Sequence, residues 1–277
     1  MKIEWKEILS KKILTEAKGY LDVGFTHSLN PYSGCAFSCK YCYVREMPIQ
    51  RFKDTPWGEW LEIKTNAAEN YRNEMIKLRK KNKPVNIFMS SATDPYQPME
   101  RKAAITRRIL EEMMEHPPDF LQIQTRSPLI TRDIDLINQL KAKCDVLVSM
   151  TIETDREDVK RIFAPYAPGI KIRLKALKEV HDKGISTQAS ISPVLPFTPD
   201  FPNVLNGIVD HIWIDTLSIG DGAMGKRSER LGMPKLFQEH ELSKWYQQEI
   251  HVKVEKYFKQ YFPSDMIRVS KNEAFLK

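Results

Sequence analysis

The chain is short of the residues that mark several protein classes. Four cysteines and 11 glycines in 277 residues are too few thiols for a disulfide scaffold and too little glycine for a collagenous chain. No apolar run approaches the ~18 residues of a membrane span. The opening Met1-Lys2-Ile3-Glu4-Trp5-Lys6 lacks the apolar stretch of a secretory signal, so a cytoplasmic protein with no membrane partner is expected. Linkers rich in Gly, Ser or Pro, internal repeats and helix-turn-helix or zinc-finger spacings are absent too. What is present is a globular composition, with 42% hydrophobic and 29% charged residues and a mean hydropathy of −0.46. The 43 basic residues outnumber the 36 acidic ones, giving +7. Such an excess favours anionic partners, nucleic acid among them, without specifying a fold or an activity.

Short apolar runs alternate with longer amphipathic stretches. Six runs read as strands: residues 22–29, 85–91, 121–126, 146–152, 185–191 and 211–218. Helical periodicity covers residues 67–81, 100–115, 131–142, 155–162, 171–183 and about 240–260. This alternation predicts an α/β fold with right-handed crossovers and a parallel sheet, either doubly wound or an incomplete barrel. One domain over 1–277 is expected, with its core at about 20–220 and a C-terminal loop and helical cap over 221–277. In either architecture ligands gather at the carboxyl ends of the strands.

Directly after the first expected strand, Cys35, Cys39 and Cys42 form a C-x3-C-x2-C cluster. The spacing fits neither the paired motifs of common structural zinc sites nor the ferredoxin runs. Zinc completed by His27 or Cys144, or plain burial of small side chains, are the competing readings. Three thiolates on a four-iron cluster would leave one iron without a protein ligand, and an open coordination position is where a metal site does chemistry.

The C-x3-C-x2-C loop, with Tyr41 just before the third cysteine, resembles the signature of radical S-adenosylmethionine enzymes. That resemblance implies a [4Fe–4S] cluster on Cys35, Cys39 and Cys42, with S-adenosylmethionine chelating the open iron. One electron, from a donor such as flavodoxin or ferredoxin, then cleaves it to methionine and a 5′-deoxyadenosyl radical that abstracts a hydrogen atom from substrate. It also implies a partial (β/α)6 TIM-type barrel. Asn30-Pro31-Tyr32-Ser33-Gly34-Cys35 and Ser90-Ser91-Ala92-Thr93-Asp94-Pro95-Tyr96 resemble the spore photoproduct lyase-like branch, which is named for a DNA repair enzyme. The family pattern places a hydrogen-donating cysteine near the end of the second strand, where this chain has Ser91. A serine O–H is a far poorer hydrogen-atom donor than a thiol.

Within such a barrel, Ser90, Ser91 and Thr93 are expected at the methionyl amino group and Arg126 at the carboxylate, which a guanidinium can bind bidentately. Ser149, Thr151 and Glu153 share a strand face, with Glu153 the candidate for the ribose hydroxyls and Arg173 a weaker second carboxylate ligand. Gln188, Ser190 and Ser192 alternate along the fifth strand and are expected at adenine or substrate, Tyr41 at adenine or the cluster, and Tyr96, with Ser91, beside the radical centre. Cys144 falls at the amino end of a strand and reads as structural. Lys226, Arg227 and Arg230 sit on an expected loop at the mouth, where they could meet phosphates. Nucleic acid is thus one substrate class. A peptide or small metabolite, and a non-catalytic iron–sulfur redox protein, are the alternatives.

Overall fold

The computed structural model describes residues 3–22 and 24–270. Residues 1–2 and 271–277 of the expected domain, and Val23 of the expected strand 22–29, lie outside the described residues. The strands are β1 (Glu4–Ile8), β2 (Leu14–Glu16), β3 (His27–Leu29), β4 (Tyr32–Ser33), β5 (Trp60–Lys64), β6 (Asn86–Met89), β7 (Phe120–Thr125), β8 (Asp145–Thr151), β9 (Ser186–Ile191), β10 (His211–Ile214) and β11 (Ile267–Val269). Eight of them form one sheet in the order β11-β10-β9-β8-β7-β6-β3-β2. Every neighbouring pair in it is parallel except β2 with β3. The six expected strands are its β3 and β6–β10, in chain order across the sheet, as successive right-handed crossovers require.

The alternation of side chains divides this sheet into two faces. On the outer face Ile87, Met89, Leu121, Ile123, Val148, Met150, Ile191 and Ile212 have no solvent exposure. They pack under helices Ala67–Arg79, Ile105–Glu115, Ile134–Leu140 and Ile170–Asp182. The inner face is polar: Gln122, Gln124, Ser149, Thr151, Gln188 and Ser190 lie in register across β7, β8 and β9. Ser149 accepts from Gln188 Nε2 at 2.8 Å and Thr151 from Gln124 Nε2 at 2.9 Å. A sheet with a polar concave face and an apolar helix-covered face is the wall of a partial barrel around a ligand.

Three features depart from the periodicity. The helix expected over 100–115 breaks at Ala104, whose φ of 49° is left-handed, because the buried Glu100 turns back to cap the second half. Its carboxylate accepts the N–H groups of Thr106 at 3.0 Å and Arg107 at 3.3 Å. The amphipathic stretch at 240–260 is a turn at Ser243–Trp245 followed by helix Ile250–Phe258, which packs on β10 and β11. The loop carrying Lys226, Arg227 and Arg230 is in fact the short helix Lys226–Arg230. Two of its cations are tethered: Arg227 Nη1 donates to the Asp221 carbonyl at 2.6 Å, and Arg230 pairs with Glu46 at 2.7 Å.

A small second sheet, β1-β5-β4, escaped the sequence reading because β4 has two residues and β1 is almost wholly exposed. It carries the chain from β4 into the cysteine loop.

Candidate active site

Cys35, Cys39 and Cys42 lie on the loop after β4, and hydrogen bonds to its backbone fix the path. Gly34 has φ +85°, and a Cβ there would stand 2.4 Å from the Trp60 carbonyl, so only glycine fits. The buried Gln97 accepts the Ala36 N–H at 3.0 Å, while Thr93 Oγ1 donates to the Gly34 carbonyl at 2.5 Å. Arg45 donates to the Ser38 and Cys39 carbonyls, both at 2.9 Å. The segment after β6 and the cysteine loop are thus one hydrogen-bonded unit.

All three thiols line a cleft of 1180 Å³, open to solvent, at the carboxyl ends of the parallel strands. Its walls include Phe88, Ser90, Ser91, Thr93, Gln124, Arg126, Thr151, Ser190, Trp213 and Asp215, so the polar inner face of the barrel is its floor. All four cysteines are free thiols. Burial raises the Cys35 thiol well above its usual range, and Asp94, Cys39 and Cys42 nearby raise it further. Burial and then the neighbouring Cys39 push Cys42 up to about 11. Ligation to iron reverses that balance, since a coordinating thiol is deprotonated outright.

The donor set fits an iron–sulfur cluster. Among the described residues no group of three or more His, Cys, Asp or Glu side chains is arranged to hold a metal ion. The three thiols line the same cleft, and a four-iron cluster takes each of them on a separate iron. Soft thiolates with no histidine or carboxylate completing the set suit iron–sulfur chemistry. Two buried polar atoms on the same walls, Ser90 Oγ and Trp57 Nε1, have no hydrogen-bond partner.

Beside the cysteines a buried chain of charged contacts runs outward from the cleft. Arg126 Nη1 donates to the Tyr41 hydroxyl at 2.8 Å, Tyr41 donates to Glu153 Oε1 at 2.9 Å, and Glu153 Oε2 pairs with Arg173 at 2.6 Å. Burial alone would raise the Glu153 carboxyl; the Arg173 and Arg126 guanidiniums beside it bring it down to about 2. Asp94, just past β6, accepts from Thr125 Oγ1 at 2.7 Å and from the N–H groups of Tyr96 and Arg126, both at 2.9 Å. It holds the turn after β7, and through it the start of the Arg126 side chain.

Residues 29–206 match the sequence model of the Radical SAM superfamily. The chain belongs to that superfamily. An uncharacterized protein of Methanocaldococcus jannaschii is 33% identical over 195 residues, 70% of this chain and 69% of the relative. Among solved structures, spore photoproduct lyase complexed with dinucleoside spore photoproduct superposes with TM-score 0.68 at 12% identity, covering 96% of this chain and 81% of the other. Streptococcus suis SuiB bound to precursor peptide SuiA superposes with TM-score 0.50 at 11% identity, covering 77% and 46%. The protein is therefore a radical S-adenosylmethionine enzyme whose cofactors are a [4Fe–4S] cluster and S-adenosylmethionine.

In this radical enzyme Cys35, Cys39, Cys42, Tyr41, Ser90, Ser91, Thr93, Arg126 and Ser190 line one cleft, and five other expected site residues do not. Glu153 and Arg173 have no exposure and bond to each other behind Tyr41, so neither lines the cleft. Burial of both charges forces this pairing. Ser149 and Gln188 lie deeper in the barrel, bonded to each other. Tyr96 is fully buried on the far side of Asp94, near Arg132 of a cluster that also holds Glu100 and Asp133. Ser192, expected with Ser190 at adenine or substrate, also lines the cleft, whereas Asp215 and Trp213 carry no sequence signal beyond their place at the carboxyl end of β10.

Proposed function

We propose that this cleft binds S-adenosylmethionine against a cluster held by Cys35, Cys39 and Cys42, and presents it to a nucleic-acid substrate that loses a hydrogen atom. The carrying observation is that the three thiols and the polar strand ends share one cleft. Once loaded, the two cofactors supply a 5′-deoxyadenosyl radical, and the chain's own residues orient what it meets. Arg126 faces the methionyl carboxylate: its hydrogen bonds to side chains run through Nη1, leaving the Nε and Nη2 edge without a partner among the described residues. Ser90 Oγ, buried and unpartnered on the cleft wall, accepts from the methionyl ammonium together with the backbone around Ser91 and Thr93. Tyr41 packs behind the cluster and holds Arg126.

Two observations favour nucleic acid over a peptide. The likeness to the dinucleoside-bound lyase spans 96% of the chain, against 77% for the peptide-bound enzyme. The net charge of +7 favours a polyanion. Cys144, the cysteine outside the motif, lies just before β8 and away from the cleft, so no second cysteine cluster is available. No helix of the described residues is long and apolar enough to cross a membrane, and a cytoplasmic site of action, with flavodoxin or ferredoxin as electron donor, completes the reading.

The test is anaerobic. Reconstituted protein is given S-adenosylmethionine and a strong reductant, and 5′-deoxyadenosine is quantified against Cys39→Ala. Deuterium from labelled oligonucleotides should appear in the 5′-deoxyadenosine. Deoxyadenosine that stays unlabelled with every nucleic acid, but takes label from a peptide, would end the nucleic-acid reading.

A further inference from the structure

Cys35 and Cys42 pack against an apolar wedge of Val44, Trp57 and Trp60, with Tyr43 beside them, whereas Cys39 packs with Phe37 and Phe163. Apart from the thiols, that wedge holds three side-chain donors. Tyr43 donates to the Ser91 carbonyl at 2.5 Å, and Trp60 Nε1 donates to Gln50 Oε1 at 2.8 Å. The third, Trp57 Nε1, is buried and has no acceptor among the described residues.

Trp57 is held firmly in that position. It is 4% exposed and lines the cleft together with the three cysteines. Its carbonyl accepts from Ser38 Oγ, inside the cysteine motif, at 3.0 Å. Gly58 follows with φ +101°, and a Cβ there would stand 2.2 Å from the same Oγ, so this backbone is pressed directly onto the loop that carries the thiols. The indole itself meets Trp60 edge to face, with centroids 5.8 Å apart and planes at 81°. The sulfurs beside it draw their hydrogen bonds from elsewhere: Cys35 from the Phe37 N–H and Cys42 from the Val44 N–H. A buried donor that the fold leaves without an acceptor calls for one from outside the chain, and a cluster on these thiols brings sulfides into the same cleft.

We infer that the Trp57 Nε1–H hydrogen-bonds an inorganic sulfide of the [4Fe–4S] cluster and raises the cluster's reduction potential. This rests on the placement of the cluster on Cys35, Cys39 and Cys42. Reduction adds a negative charge, which an apolar wall disfavours. An N–H donor to sulfur strengthens as that charge arrives, so it stabilises the reduced cluster over the oxidised one. Phenylalanine would supply the same apolar wall without the donor, and tryptophan therefore does more at this position than pack.

The test uses reconstituted protein without S-adenosylmethionine, titrated with reductant while the reduced cluster is followed by electron paramagnetic resonance. Trp57→Phe keeps a ring and loses the N–H. Its cluster should be reduced about tenfold less readily, a midpoint ~59 mV lower for one electron. With tryptophan isotopically labelled at the indole nitrogen, pulsed resonance on the reduced cluster should show a nitrogen coupling in wild type and in Trp213→Phe, the other tryptophan on the cleft wall, but not in Trp57→Phe. An unchanged midpoint, or a coupling that survives in Trp57→Phe, overturns the inference and leaves the cluster on its thiols. Should Trp57→Phe fail to assemble a cluster, the coupling in wild type and Trp213→Phe decides alone, and its absence from either overturns the inference. A cluster that assembles equally well in Cys39→Ala overturns the placement on the three thiols, and the inference with it.

Discussion

Glu153 and Arg173 pair at 2.6 Å with neither side chain exposed, and Arg173 Nε and Nη2 have no other partner. A charge that cannot reach water depends on its one counter-charge. Glu153→Gln should therefore destabilise the fold by about 3–5 kcal/mol, read from urea unfolding at pH 7. The acid dependence has a definite sign. The folded carboxyl lies near 2, below its ordinary 4.5, so its stabilisation is complete above the unfolded value and is lost as pH falls toward 2. The stability gap between wild type and Glu153→Gln should be constant down to about pH 5 and narrow below it. A gap unchanged at pH 3 would show that the pair is not what holds this region.

Gly34 tests the cysteine loop. Alanine there meets both a left-handed φ of +85° and the Trp60 carbonyl at 2.4 Å, so the loop must shift. Gly34→Ala should cost about 1–3 kcal/mol and lower the iron bound per chain after reconstitution. Gly207 is the control, since its φ is +72° but nothing lies within 4 Å of a Cβ. Gly207→Ala should lower stability slightly and leave iron content unchanged.

These residues show what the sequence made legible. The six parallel strands could be read because a strand covered by helices is a short apolar run, and Ile87, Met89, Ile123 and Val148 supply it. The three cysteines could be read because their spacing is local. The pairing of Arg173 with Glu153 could not, because an arginine on an amphipathic helix reads as solvated, and only the approach of helix Ile170–Asp182 to the end of β8 buries it. Tyr96 misled for the opposite reason: it neighbours residues that line the cleft, but the turn held by Asp94 points it into the core. Asp215 carries no motif at all. It is brought to the cleft only by the fold, with Gly220, Ser192, Thr216 and Ser270 closing around it in space.

Gln97 joins the segment after β6 to the cysteine loop, accepting from Ala36 at 3.0 Å and donating to Thr93 at 3.2 Å with no exposure of its own. Gln97→Leu fills similar space but leaves the Ala36 N–H buried without a partner, which costs about 1–3 kcal/mol. The expected signature is local. Amide exchange at Ala36 should quicken, and a chelator should strip iron from the variant faster than from wild type. Unchanged chelation kinetics would mean that the loop holds its shape without this clamp.

Tyr41 is the last contact between the cysteine loop and the guanidinium proposed to hold the cofactor. Its hydroxyl accepts from Arg126 at 2.8 Å and donates to Glu153 at 2.9 Å, so Tyr41→Phe removes one oxygen that satisfies two groups. Arg126 keeps its 3.3 Å contact with Glu153 and stays charged, but it loses the bond that fixes its angle. Iron content should change little, because all three thiols remain, although Cys39 loses the Tyr41 hydroxyl that hydrogen-bonds it. S-adenosylmethionine affinity should fall by about tenfold, the worth of one charge-assisted hydrogen bond. Titrating the cofactor against the cluster's spectrum separates the two effects. A variant with normal iron and normal affinity would show that Arg126 is oriented by Glu153 alone, and one that loses iron would make Tyr41 a support of the cluster instead.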